Sequence, residues 1–133
     1  MIKVMMLSLV TAGLVAAGIG EWTAEVKATD GSELKGTATL VAKADTSDVE
    51  AKIGLTGAKP AAKLTWVIQQ SNCKSNGPVL GKDADYPAMT ADEQGNASAK
   101  GTITAKPDTG KEYSVSVKND AQAVIACGNL TKK

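Results

Sequence analysis

The 133-residue sequence predicts an all-β domain, an antiparallel sandwich or barrel of seven or eight strands, behind one N-terminal hydrophobic helix. Three observations carry that expectation. Residues 1–20 hold a single charge in an otherwise apolar stretch. From Trp22 onward, apolar and polar residues alternate at period two in one short segment after another. Gly, Pro, Asn and Asp mark most of the breaks between these segments, and no helical period recurs beyond residue 20. Two units follow: a helical segment over 1–20 and an exported domain over 21–133.

The first segment reads as an export signal. Lys3 is its only charge, and Val4 to Gly20 is apolar or small apart from Ser8 and Thr11. A cation before such a run directs secretion, and the run is just long enough to span a bilayer. Gly18 and Gly20 are small enough to precede a cleavage point, so removal of the leader is one outcome. Two features favour retention. Ser8, Ala12, Ala16 and Gly20 recur every fourth residue with Gly13 and Ala17 beside them, a small-residue stripe on which another helix can pack closely. Trp22 stands just past the run, either as an interfacial anchor or as the first core residue, and Lys3 marks the cytoplasmic side. The expectation is a single-pass bacterial inner-membrane protein with its C-terminal domain in the periplasm. Its alternative is a soluble periplasmic or secreted protein. Setting Lys3 aside leaves fourteen lysines against fourteen acids, so charge alone does not draw the domain to anionic lipid.

The strands follow in order. Trp22, Ala24, Val26 and Ala28 alternate with Thr23, Glu25, Lys27 and Thr29, and Asp30-Gly31 supplies a turn. Ala38, Leu40 and Ala42 form the next inward face, and Val49, Ala51, Ile53 and Leu55 the one after it. Leu64 to Gln70 is the least polar strand. Ala97 to Ala105, Tyr113 to Lys118 and Ala123 to Leu130 complete seven, with a short eighth expected between Val79 and Ala91. Ser71 to Asn96 does not alternate and reads as a long loop, functional or tied down.

The core is thin. Residues 21–133 contain 19 large aliphatics and 18 alanines, and an alanine buries far less than a leucine at about 25 cal/mol per Å². Cys73 and Cys127 are the only cysteines of an exported chain, so a disulfide is expected, two buried free thiols being the alternative.

Composition excludes much chemistry. Histidine, arginine and phenylalanine are absent, and all fifteen cations are lysines. No His-dependent triad, no imidazole metal site and no bidentate arginine clamp can be built. The balanced charge gives no nucleic-acid footprint. Asp83, Asp85, Asp92 and Glu93 form an acidic loop without calcium-loop spacing, and it reads as solvated surface. Without an aromatic platform for a sugar, the same acids make no glycosidase pair. The lysines fall on outward strand positions or in turns, and Trp66 reads as core. No metal, cofactor or nucleic acid is expected.

Certain segments carry a family likeness. Cys73-Lys74-Ser75-Asn76-Gly77-Pro78 is similar to the cysteine-to-Gly-Pro motif of copper–zinc superoxide dismutases, and Ile125-Ala126-Cys127-Gly128 to their C-terminal signature. Gly54-Leu55-Thr56 and the stretch from Ala91-Asp92 to Gly95-Asn96 fall in the same order. The resemblance spans roughly Ala24 to Leu130. It implies an antiparallel Greek-key β-sandwich of eight strands whose long loop is stapled by Cys73–Cys127. The departures strip it of activity. The two histidine positions of the strand before the first cysteine fall within Trp66-Val67-Ile68-Gln69, and the next falls at Val79. The late histidine falls near Val117, and the arginine at Val124. A fold without its site carries no reaction.

The functional expectation is therefore a non-catalytic structural or accessory subunit. One helix holds a silent sandwich against a larger membrane complex, of the respiratory or photosynthetic kind. A secreted binding module that uses the Ser71–Asn96 loop is the alternative.

Overall fold

A computed structural model describes residues 20–42, 48–108 and 110–132. The expected helix, with Ser8, Ala12, Gly13, Ala16 and Ala17 of its packing stripe, lies outside the described residues. Among the described residues, no helix is long and apolar enough to cross a membrane.

The described residues form eight strands: β1 (Glu21–Ala28), β2 (Lys35–Ala42), β3 (Val49–Thr56), β4 (Lys63–Gln69), β5 (Met89–Thr90), β6 (Ala97–Ile103), β7 (Tyr113–Lys118) and β8 (Val124–Lys132). A 3₁₀ turn at Asp83–Asp85 interrupts the long loop. All pairings are antiparallel, and the order across the sheet is β5-β4-β7-β8-β1-β2-β3-β6. The two edge strands, β5 and β6, are separated in the chain only by Ala91–Asn96, so the sheet curls until it nearly closes. The domain is all-β and sandwich-like, as the alternation predicts.

Register sets the core. Trp22 pairs with Leu40, Leu40 with Ala51, and Ala51 with Gly101, so one layer crosses four strands. On the other half, Trp66 pairs with Val117, and Val117 with Ala126. Each of these seven residues is buried. Small residues let the strands close. A Cβ built on Gly128 would lie 2.4 Å from the Glu25 carbonyl oxygen, so only glycine fits where β8 meets β1.

Trp22 is a core residue and not an interfacial anchor. Period two puts it on the face of Ala24 and Val26; it is 5% exposed, and the Lys132 ammonium lies 5.7 Å from its ring centroid. The ring has no free face to offer a membrane. Ala42 N–H donates to the Gly20 carbonyl oxygen at 3.1 Å, so the sheet begins as soon as residue 20 is passed. By strand direction, Gly20 stands at one end of the sandwich. The β1–β2, β3–β4 and β7–β8 turns cluster at the other.

Candidate functional site

The long loop is bound down along its length. It first turns back on β4, with Gln70 N–H donating to Pro78 O and Leu80 N–H to Ile68 O, each at 2.8 Å. Cys73 is disulfide-bonded to Cys127, 54 residues later, and Cys73 N–H donates to Asn129 Oδ1 at 2.9 Å. Further on, the Tyr86 ring meets Trp66 edge-on at 5.0 Å, and the Tyr86 hydroxyl donates to the Leu80 carbonyl. Burial pushes the Tyr86 phenol far above its ordinary range, so it is a donor and not a base at neutral pH.

Beneath this loop lies the outer face of β4, β7 and β8. Antiparallel register lines up Gln69 with Ser114 and Asn129, Val67 with Ser116 and Cys127, and Thr65 with Lys118. At the disulfide end the polar groups satisfy one another. Gln69 Nε2 donates to Ser114 Oγ at 3.2 Å and to Ser75 O at 3.3 Å, and Ser71 Oγ donates to Ser75 O at 3.0 Å. Ser116 differs. It is 4% exposed, and among the described residues its hydroxyl has the Cys127 sulfur at 4.0 Å, a weak acceptor.

Ser116 borders a cavity of about 210 Å³ on this face. Thr65, Val67, Ser116 and Lys118 form the floor, with Asp83 and Tyr86 of the loop on one side and Gln122 of the β7–β8 turn on the other. Gln122 sits at φ 65°, in the left-handed region. The site offers an ammonium, the hydroxyls of Thr65 and Ser116, an amide and one carboxylate, the third hydroxyl, that of Tyr86, being engaged by Leu80 O.

The acids of the loop do not converge. Asp85 Oδ2 accepts from Thr104 N, Thr104 Oγ1 and Lys82 N, and these bonds, the Thr104 amide foremost, hold its carboxyl below the ordinary range. Asp92 Oδ1 accepts from the amides of Gln94 and Asn96 and closes its own turn. Among the described residues, no three His, Cys, Asp or Glu side chains stand where they could hold a metal.

The positions singled out by the resemblance fall as follows. Val67 and Gln69 lie on the outer face, and Val79 bridges Gln69 on the returning loop. Val117 does not join them. It is fully buried on the inner face opposite Trp66, and the residue beside Val67 is Ser116, one position earlier. A shift of one residue in a strand exchanges the faces. Val124 is 43% exposed at the start of β8, next to Lys118. Sequence reasoning passed over Ser116 and Lys118, although the alternation that buries Val115 and Val117 already turns them outward. Gln122 carries no such signal. No protein-family model matches this sequence, and no curated protein matches it.

Proposed function

We propose that the chain is a non-catalytic accessory subunit of a membrane complex, carrying a sandwich of the superoxide dismutase-like Greek-key kind on the outer side. Residues 4–19 hold it there and pack on a partner helix through Ser8, Ala12, Gly13, Ala16 and Ala17. Gly20, which the sequence pattern puts on the same stripe, stands at φ 128° and accepts from Ala42 N–H, so it belongs to the sheet and not to the helix. One observation carries the reading: Gly20 is hydrogen-bonded into the sheet through Ala42 and β1 starts at Glu21, so no linker separates the anchor from the domain. A domain seated without a linker keeps one orientation on its membrane, as a structural subunit requires. The strand order supports the Greek-key part, since the β3–β4 and β6–β7 connections each cross between the two halves of the sheet. The outer face supports catalytic silence, because Gln69 occupies a ligand position and is already bonded to Ser114 and Ser75.

The test is the stripe itself. Ala12→Leu with Ala16→Leu is expected to leave membrane insertion intact and to release the protein from its complex. Lipid is as apolar as leucine, while a bulky residue at a helix contact costs about 1–3 kcal/mol. Thr11→Leu with Val15→Leu, off the stripe, is the control. Equal retention of both variants through mild-detergent purification and a native gel overturns the packing role. An intact mass lacking the leader in the membrane-free fraction overturns the anchor.

The second reading, a soluble binding module, is favoured by Ser116. Among the described residues, this hydroxyl, 4% exposed, has only a sulfur at 4.0 Å for a partner, which leaves a weakly satisfied hydrogen-bonding group beside a cavity.

A further inference from the structure

We propose that the end of the sandwich opposite Gly20 binds a small zwitterion with an apolar side chain, an α-amino acid of leucine or phenylalanine size. This goes beyond the accessory role and does not depend on it. A second cavity of about 210 Å³ opens there, apart from the outer-face site. Leu34, Leu64 and Ile125 line it with Ala58 and Ala62, so its interior is chiefly apolar. An apolar group somewhat larger than benzene fits a space of that size, since about 150 Å³ accepts benzene itself. Mouths of β-barrels are recurrent ligand sites.

The walls are built rather than incidental. Val117 pairs with Ala126 but Lys118 with Val124, so Ile125 is the extra residue of a bulge, and it borders the cavity. Thr29 N–H donates to Ile125 O at 2.8 Å and joins the β1–β2 turn to β8. The β3–β4 connection is fixed by Ala58 N–H to Gly95 O and Ala61 N–H to Ala91 O, each at 3.1 Å, with Ala61 held at φ 63°. Asn119 Oδ1 accepts from the amides of Ala121 and Ala123 and sets the third turn.

The rim carries both signs of charge: Asp30 comes from the β1–β2 turn, Asp120 from the β7–β8 turn, Lys59 from the β3–β4 connection and Lys63 from the first position of β4. Among the described residues, none of these four makes an ion pair within 4.0 Å. Hydrogen bonds from Ser32 keep Asp30 ionised to lower pH than usual. A ligand carrying both charges on one carbon can place its ammonium toward the aspartates, its carboxylate toward the lysines and its side chain inward. A fatty acid or an aliphatic amine answers only half of the rim.

The experiment is calorimetry on the full-length protein in mild detergent, with L-leucine and L-phenylalanine as probes. 4-Methylpentanoate and 3-methylbutylamine, each lacking one charge, serve as comparisons. Both amino acids are expected to bind at least about tenfold more tightly than either comparison. Ala62→Leu, which fills the cavity, is expected to weaken leucine binding by at least about tenfold. Should that variant misfold, Lys59→Gln with Lys63→Gln alters only exposed rim residues and is expected to erase the preference for leucine over the amine. Absence of binding by both amino acids at about 10 mM, equal binding of the single-charge comparisons, or unchanged binding in the folded variants overturns the proposal. Release of the protein from its complex by Ala12→Leu and Ala16→Leu leaves these outcomes untouched, so the two readings fail separately.

Discussion

Trp66 donates its indole Nε1–H to the Pro87 carbonyl oxygen at 2.7 Å, which fastens the end of the long loop to the centre of β4. The same loop reaches the far edge of the sheet. A Cβ built on Gly101 of β6 would lie 2.2 Å from the Asp85 carbonyl oxygen, so the 3₁₀ turn rests directly on that strand. Where the backbone ladder stops, at β5 and β6, the gap is closed by Trp66, Tyr86 and a glycine.

Trp66→Phe tests that closure. The ring volume is largely kept, but the Pro87 carbonyl loses its donor in a part-buried setting. The expected destabilisation is about 1–3 kcal/mol, read as a lower urea midpoint at an unchanged m-value. A midpoint equal to the parent's would show that the loop is held by packing alone.

Cys73→Ser with Cys127→Ser frees the other end of the loop. Loop-closure entropy for a 54-residue separation gives about 4 kcal/mol. Marginal domains hold about 5–15 kcal/mol in all, so the double variant is expected to melt far below the parent by calorimetry.

Much of this was legible beforehand. Alternation placed seven strands, six of them to within two residues at each end and the second only from Ala38 where it begins at Lys35, because the apolar inner face marks a strand and the polar Lys35–Thr37 start does not. Trp66 and the cysteines were readable too, the one from its apolar face and the others as the chain's two cysteines, which are disulfide-bonded. What sequence could not fix was the neighbour of each strand, and with it the outer-face site. Ser116 is unremarkable in a list of serines, and it matters only because register sets it between Val67 and Cys127 under a loop. Trp22 was open between anchor and core, since residue 22 satisfies both patterns and only the β1–β2 pairing decides.

Asp85 gives the domain a pH dependence with a definite sign. Its carboxylate accepts from Thr104 and Lys82 in the folded state, so its folded pKa lies below the ordinary 3.8. The stabilisation is complete above the unfolded value and is lost as pH falls through the folded one. Asp85→Asn is expected to flatten the acid limb of a plot of melting temperature against pH. An unaltered limb would assign it to other carboxylates.

The protein is expected to bind neither copper nor zinc stoichiometrically and to lack dismutase activity. Histidine and arginine are absent from the chain, so it can build neither an imidazole metal site nor a guanidinium guide for an anion. Elemental analysis after dialysis checks this, and one tightly held equivalent of either metal would contradict it.

Two glycines in separate strands of the sheet are expected to respond in opposite directions. Gly54 lies in β3 opposite Thr37 and Ser98, and a Cβ added there meets nothing within 4 Å. Gly54→Ala therefore adds no clash and restricts the unfolded chain, for a gain of about 0.4–1 kcal/mol. Gly128 lies in β8, where its added Cβ would stand 2.4 Å from Glu25 O and 3.1 Å from Val26 Cα. Both are backbone atoms and cannot rotate aside, so β8 and β1 must part. The ladder is already interrupted there, since pairing runs Trp22–Lys132 and Thr23–Thr131 and resumes only at Lys27–Cys127. Gly128→Ala is expected to cost about 1–3 kcal/mol by overpacking. Paired urea titrations read the difference directly. Equal shifts of the same sign would mean that β8 does not approach β1 this closely, and that the sandwich closes elsewhere.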